Sequence, residues 1–302
     1  MRKAQIAAVR RFNRRVTQRV GALEDHFLGR ARPLGQSRVL YEIGRNGADL
    51  RDLRAVLALD SGYLTRIVQA LANDGLVIVE PDPDDERVRH VRVTRAGLAE
   101  IAEMDRRSDE SADAILEPLS AKQRDRLVGA MEEVRRLLLA SAVRIERVDP
   151  DSAEARISLE QYYAEVDRRF ESGFDPGTSL PMPAAEFLPP RGAFLVASVD
   201  GRPVGCGGVK TISPRIGYLK RMWVAEDARG LGLGRRILAA LEDEAVRLGF
   251  GKLRLETNRA LPEAIAMYRT SGYREVAPFN DEPYAHQWFE KRLARRERRH
   301  RR

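Results

Sequence analysis

Hydrophobic positions recur at helical spacing through the first 140 residues of the chain. Residues 4–26 set Ile6, Val9, Val16, Val20 and Leu23 on one stripe, with Arg10, Arg11, Arg14, Arg15 and Arg19 on the other face. Pro33 stands as the first-turn proline of a second helix carrying Leu34, Val39, Leu40 and Ile43, which Gly44 ends. Asp49 to Leu57 reads as a short third helix. Asp60 or Ser61 caps a fourth, which turns Leu64, Ile67, Val68 and Leu71 inward and closes at Gly75. The period then drops to two. Leu76–Val79 is a strand, and Val88, Val91 and Val93 mark another beyond the polar turn from Pro81 to Glu86. Helices over about 95–116 and 120–141 follow, the second with an apolar seam of Leu127, Met131, Val134, Leu137 and Leu138. Four helices, a hairpin and two long helices predict an α-rich winged helix with a helical dimerisation platform, residues 1–142.

From residue 143 the texture changes. A strand over 143–148 and a helix over 151–171 precede a stretch of 172–192 rich in Gly and Pro, read as loop. Strands at about 193–199, 203–211 and 216–224 lead to a helix at 232–248 and a strand at 252–257. A helix at 262–271 and a last strand near 285–292 complete the second domain, 143–292. Mixed strands around two amphipathic helices predict an α+β fold and not a dinucleotide-binding βαβ repeat.

Composition agrees with two folded domains. The chain has 302 residues, 43% hydrophobic and 32% charged, more than one core usually organises. Its formal charge is +8, but residues 291–302 hold eight basic residues against one acid, so only about +1 remains elsewhere. A globally basic coat is excluded, and the tail 293–302 reads as solvated and disordered. The single cysteine, Cys206, excludes an internal disulfide and a thiolate cluster, and four scattered histidines suggest no metal site. No 18-residue apolar run occurs, and the basic N-terminus leads into no apolar signal core, so a cytoplasmic protein without a membrane span is expected.

A recognition helix needs short side chains near its start and polar groups behind them. Ser61, Gly62, Tyr63, Thr65 and Arg66 meet that need, with Gln69 placed for an amide contact to adenine. Arg87 and Arg89 supply charge to the hairpin. Together with Asp85-Glu86-Arg87 and Val91-Arg92-Val93-Thr94, this run from Ser61 to Thr94 resembles the MarR family of winged-helix regulators. The resemblance covers about residues 4–141. It implies a homodimer on a palindromic double-stranded DNA operator, with Asp85 bracing the wing and Arg87 entering the minor groove.

The sharpest signal is Met222-Trp223-Val224-Ala225-Glu226-Asp227-Ala228-Arg229-Gly230-Leu231-Gly232-Leu233-Gly234-Arg235. A strand delivers the chain to a glycine-rich turn and a helix leaves it, so backbone N–H groups can close on phosphate oxygens. Arg229 and Arg235 add charge. Glu256 stands about 22 residues beyond Gly234, where a dinucleotide fold would want an acid, but three strands and a helix precede this loop. With Asn258 and the segment Tyr268-Arg269-Thr270-Ser271-Gly272-Tyr273, the run resembles the GNAT superfamily of acyl-CoA N-acyltransferases over about 143–292. The resemblance implies acetyl-CoA across splayed strands: Trp223 and Val224 on the pantetheine arm, residues 229–235 (Gly230, Leu231, Gly232, Leu233 and Gly234 among them) on the pyrophosphate, Asn258 steadying the cofactor, and Tyr268 as general acid.

The general base stays open among Glu256, Glu165, Asp167, Glu171 and a water chain. Tyr162, Arg169, Phe174 and Tyr284 are candidates for the acceptor site, and arginines there suit an amine bearing a carboxylate, such as an amino acid or a small conjugate. The leading expectation is a DNA-binding regulator that is also an acetyl-CoA-dependent N-acetyltransferase working by direct transfer to a small-molecule amine. The alternatives are a transcription factor whose second domain only senses acyl-CoA, and an acetyltransferase that uses the helical domain only to dimerise.

Overall fold

The computed structural model describes residues 2–20, 27–29, 32–44, 46–57, 59–81, 89–180 and 183–293. The wing turn with Asp85 and Arg87, and the tail beyond Leu293, lie outside them. Packing divides the chain into two compact units, Met1–Met131 and Glu132–Arg302.

The first unit holds α1 (Arg2–Arg19), α2 (Leu34–Ile43), β1 (Ala48–Asp49), α3 (Leu50–Leu57), α4 (Ser61–Asn73), β2 (Val77–Pro81), β3 (Arg89–Val93) and α5 (Arg95–Leu116). Helix α6 (Ala121–Ala142) runs across the division. The strands form an antiparallel sheet in the order β1-β3-β2. Asp60 caps α4 by accepting from the N–H groups of Gly62 and Tyr63. Leu64, Ile67, Val68 and Leu71 then pack with Val39, Leu40 and Ile43 of α2, as their spacing predicts. β1 carries no period in the sequence because it is two residues long, held by Ala48 opposite Val91 and Asp49 opposite His90. Neither α1 nor α6 buries a residue, and Ile6, Val9, Phe12 and Val16 on one and Val128, Met131, Leu137 and Leu138 on the other are exposed.

The second unit is built on a seven-stranded sheet in the order β4-β5-β6-β7-β8-β10-β9. Its strands are β4 (Arg144–Val148), β5 (Gly192–Val199), β6 (Arg202–Ser213), β7 (Ile216–Val224), β8 (Lys252–Thr257), β9 (Arg274–Val276) and β10 (Gln287–Arg292). α7 (Ala153–Arg169), α8 (Leu233–Arg247) and α9 (Pro262–Thr270) cover it. The stretch read as loop includes a short 3-10 turn, Ala184–Phe187, whose Phe187 is fully buried. β9 is three residues long and, like β1, too short to show a period.

Two features of β7 shape the site. It pairs in parallel with β8 only at Ile216–Lys252, Gly217–Leu253 and Tyr218–Arg254. Beyond Tyr218 the two strands part. On its other edge, Trp223 faces Cys206 and Lys220 faces Gly208, so Arg221 and Met222 together oppose Gly207. This is a β-bulge, and Arg221 takes the left-handed conformation (φ 58°) that side chains other than glycine rarely adopt.

The glycines of β6 let the sheet be covered closely on both faces. A Cβ on Gly205 would stand 2.7 Å from Ile237 of α8, and one on Gly208 would stand 2.5 Å from the ring of Phe187 and 3.0 Å from that of Phe194. Gly208→Ala should therefore destabilise the second unit by about 1–3 kcal/mol through overpacking. Both tryptophans, Trp223 and Trp288, lie in that unit. Their fluorescence through a denaturant titration reads the loss, and an unmoved midpoint would contradict the packing described.

Candidate functional site

The parting of β7 from β8 opens a cleft of about 530 Å³ whose walls include Trp223, Val224, Gly232, Gly234, Met267 and Tyr268. Gly230 and Gly232 turn the chain with φ of 75° and 73°. The first α8 bond runs from the Arg236 N–H to the Gly232 carbonyl. The N–H groups of Leu233, Gly234 and Arg235 are therefore first-turn donors with no acceptor inside the helix. No atom lies within 4 Å of where a Cβ on Gly232 would stand, so the space over the turn is open. Bare donors at the positive end of a helix beside open space make an anion cradle.

The arginines near this cradle brace it. Arg229 donates to the Val224 carbonyl at 3.0 Å and pairs with Glu165. Glu165 also accepts from the Trp223 indole at 2.9 Å and from Arg169 at 3.1 Å. Arg169 pairs further with Glu263 and donates to the Ala260 carbonyl at 2.8 Å. Its expected use on an acceptor carboxylate thus gives way to a strut joining α7 to α9. Arg136 of α6 donates to the Arg229 carbonyl at 3.3 Å, and Arg235 donates to the Thr270 hydroxyl at 3.1 Å.

Behind the cleft lies a chamber of about 80 Å³. Tyr268 borders both spaces, as do Tyr162 and Met222. The Tyr268 hydroxyl stands 3.7 Å from the Met222 sulfur, and burial pushes its phenol up, so it stays protonated. Burial likewise pushes the Tyr162 phenol up to about 12, against the pull of Arg221. The Arg221 guanidinium sits 4.9 Å from the ring of Tyr163, 5.5 Å from Phe174 and 5.6 Å from Tyr162. Tyr284 packs on Phe174 at 4.8 Å. Asn258 donates to the Tyr284 carbonyl and accepts from the Ala260 N–H, which fixes the turn after β8. Cys206 is buried, its thiol pushed up by burial and donating to the Arg221 carbonyl, so it supports the bulge as a packing residue.

At the chamber wall Lys220 donates to Glu256 at 2.7 Å and to Glu282 at 2.9 Å. All three are buried. Glu256 is therefore half of a salt bridge and no free base. The sequence points to Glu282 only as one of a stretch near the last strand that could border the acceptor, and assigns no role to Lys220 or Arg221. A Lys-Arg pair inside the otherwise apolar strand from Ile216 to Val224 was the available signal, because buried charges need a reason.

In the first unit, Ser61, Gly62, Tyr63, Thr65, Arg66 and Gln69 all lie on the exposed face of α4. The Arg66 guanidinium rests 5.9 Å from the Tyr63 ring. The Thr65 hydroxyl donates to the Ser61 carbonyl, and Gln69 donates to Asn73. Arg89 is exposed at the start of β3.

Residues 159–273 match the acetyltransferase (GNAT) family, and residues 30–88 match the MarR family. The chain is a MarR–GNAT fusion. An IAA acetyltransferase of Azospirillum brasilense is 44% identical to it over 93 residues, 30% of this chain and 59% of that protein. The HTH-type transcriptional repressor IacR of Pseudomonas putida is 32% identical over 98 residues, 32% of this chain and 59% of that one. The fusion thus spans less than two thirds of either relative. Among solved structures, a GNAT-family acetyltransferase from Staphylococcus aureus is 18% identical, with a TM-score of 0.44, covering 51% of this chain and all of that one. Among the described residues no helix is long and apolar enough to cross a membrane, and no group of three His, Cys, Asp or Glu side chains is placed to hold a metal.

Burial raises the Glu282 carboxyl, but Lys220, the Leu180 N–H and the Ser179 hydroxyl outweigh burial and leave it below its ordinary 4.5. A lowered carboxyl adds stability above the unfolded value and loses it as pH falls below. The GNAT domain should lose stability as pH drops below about 4.5, and Glu282→Gln should flatten that limb. Tryptophan-monitored unfolding from pH 6 to 3 measures it (roughly the carboxylate range). Identical slopes in parent and variant would remove Glu282 from the acid response.

Proposed function

We propose that this MarR–GNAT fusion binds duplex DNA and transfers the acetyl group of acetyl-CoA directly to a small-molecule amine. The position of Tyr268 carries the reading: a buried, protonated phenol borders both the cleft that ends in the anion cradle and the charged chamber behind it. Acetyl-CoA fits the cleft because the bare N–H groups of residues 233–235 and the open space over Gly232 suit a pyrophosphate. Bound there, it supplies an acetyl group already activated as a thioester.

The residues of the chain do the rest. Main-chain groups of Trp223 and Val224, on the edge of β7 released from β8, orient the arm, the Val224 carbonyl being shared with Arg229, and Asn258 shapes the turn beside it. As the amine nitrogen bonds to the acetyl carbon and the carbon–sulfur bond breaks, Tyr268 gives its hydroxyl proton to the departing sulfur. The apolar surroundings that raise the phenol also raise the basicity of that sulfur, so donor and acceptor stay matched. The proton lost by the amine leaves through water, and Tyr268 is reprotonated from solvent.

On the MarR side, the exposed face of α4 reads bases while Arg87 and Arg89 meet the wing's groove or phosphates. The bare apolar stripes of α1 and α6 suit a homodimer seam. Both activities belong in the cytoplasm, where DNA and acetyl-CoA occur together.

Calorimetry of the protein with acetyl-CoA tests the acyltransferase reading directly. Gly232→Val should abolish binding by filling the cradle, whereas Tyr268→Phe should bind normally and lose about 10²-fold in turnover. A parent protein that binds no acetyl-CoA at millimolar cofactor would overturn the reading.

DNA binding is tested by titrating the protein's own upstream region at several salt concentrations. Arg66→Ala and Arg87→Ala should each weaken binding, with the loss of a phosphate contact lowering the salt slope by about one. Variants that bind every duplex as the parent does would dismiss the interface.

A further inference from the structure

The chamber behind Tyr268 holds a feature that the proposed chemistry leaves unused. Glu282 is 6% exposed. Its Oε2 accepts from Lys220 Nζ at 2.9 Å, from the Ser179 hydroxyl at 3.0 Å and from the Leu180 N–H at 3.2 Å. Its Oε1 is buried and meets no hydrogen-bond partner among the described residues. A buried carboxylate oxygen left bare is costly, and Glu282 lines the chamber.

Lys220 stands between two carboxylates, Glu256 and Glu282, which leaves those three side chains one negative charge in excess, and Arg221 on the same wall brings the chamber to formal neutrality. The remaining oxygen of Glu256 lies 3.5 Å from the Asn280 amide. Arg221 is engaged by the Tyr162 hydroxyl and three ring faces. A carboxylate on the acceptor would meet a bare oxygen of its own sign here. An ammonium group would meet its complement.

Size narrows the class. At roughly 10–15 Å³ for each water-sized occupant, the 80 Å³ chamber takes roughly five to eight non-hydrogen atoms. Phe170, Phe174 and Tyr284 line it with aromatic side chains, which suit methylene groups and a cation alike.

We propose that Glu282 is the specificity-determining residue of the acceptor site, its Oε1 receiving the far ammonium of a short diamine whose near amine takes the acetyl group beside Tyr268. The proposal rests on the chamber being the acceptor site of the acetyltransferase. The diamine reacts at one end only, because the amine on Glu282 is held in its protonated, unreactive form.

The test titrates 1,4-diaminobutane, 1-aminobutane and 4-aminobutanoate into the full-length protein saturated with CoA, then measures thiol release from acetyl-CoA with each. The diamine should bind at least about 30-fold tighter than the monoamine, and the amino acid should bind more weakly still. Glu282→Gln should cut the diamine's advantage to within about threefold, the scale of a lost charge-assisted bond. Its CoA affinity, held within about twofold, would show that the fold survives. Equal binding of the three compounds by the parent, or a diamine preference that survives in Glu282→Gln, overturns the assignment. Diamine binding that depends on Glu282 without thiol release would uphold the site and defeat the acetyl-transfer reading instead. Thiol release at equal rates with every amine would do the reverse.

Discussion

The second unit depends on one local conflict in β7. The strand must pair with β6 along one edge and with β8 along the other, and it satisfies both only as far as Tyr218. Past that point the bulge at Arg221 and Met222 inserts an extra residue against β6, and the bond to β8 is given up. Bulges bend a strand and re-aim its side chains. Here four successive residues, Leu219, Lys220, Arg221 and Met222, all line the chamber where the strand loses its regularity. The strained backbone at Arg221 is held from both sides, by the Cys206 thiol on its carbonyl and by aromatic rings around its guanidinium.

Around that opening the charged residues divide into supports and vacant groups. Glu165 gathers Trp223, Arg229 and Arg169 into one network, so three side chains from α7, β7 and the loop hold one another's positions. Partly buried ion pairs of this kind contribute little net stability, because desolvation offsets attraction, yet removing one partner leaves the others unpaired. Their value lies in rigidity. The walls of the cleft are fixed by charges paired with one another, and the groups left with spare hydrogen-bonding capacity are backbone N–H groups and a few side chains.

Most of the architecture was legible in the sequence, because long amphipathic elements carry their period openly. α4 showed its inward face in Leu64, Ile67, Val68 and Leu71, and the glycine-rich turn announced the cradle before α8. The short strands β1 and β9 were not legible, since two or three residues cannot display an alternation. The roles of Arg169 and Arg229 were hidden for a different reason. Their partners, Glu165 and Glu263, lie 64 or 94 positions away for the bonds concerned, and spacing along the chain says nothing of such meetings. The same holds for Lys220 with Glu282, 62 positions apart.

The division between the two units falls inside helix α6. Its first half belongs to the compact unit that carries the MarR region, and its second half, from Glu132, belongs to the unit that carries the GNAT domain. Leu139 packs on the second core, Arg136 grips the cradle's own backbone, and only Val143 separates the helix from the edge strand β4. A gene cut to the limits of family likeness, at residue 159, would discard β4 and leave β5 with a bare hydrogen-bonding edge. The second unit thus begins inside α6, well before the stretch that carries the family likeness. A boundary drawn by structure instead of by likeness would keep residues 132–158 with the sheet they help to build.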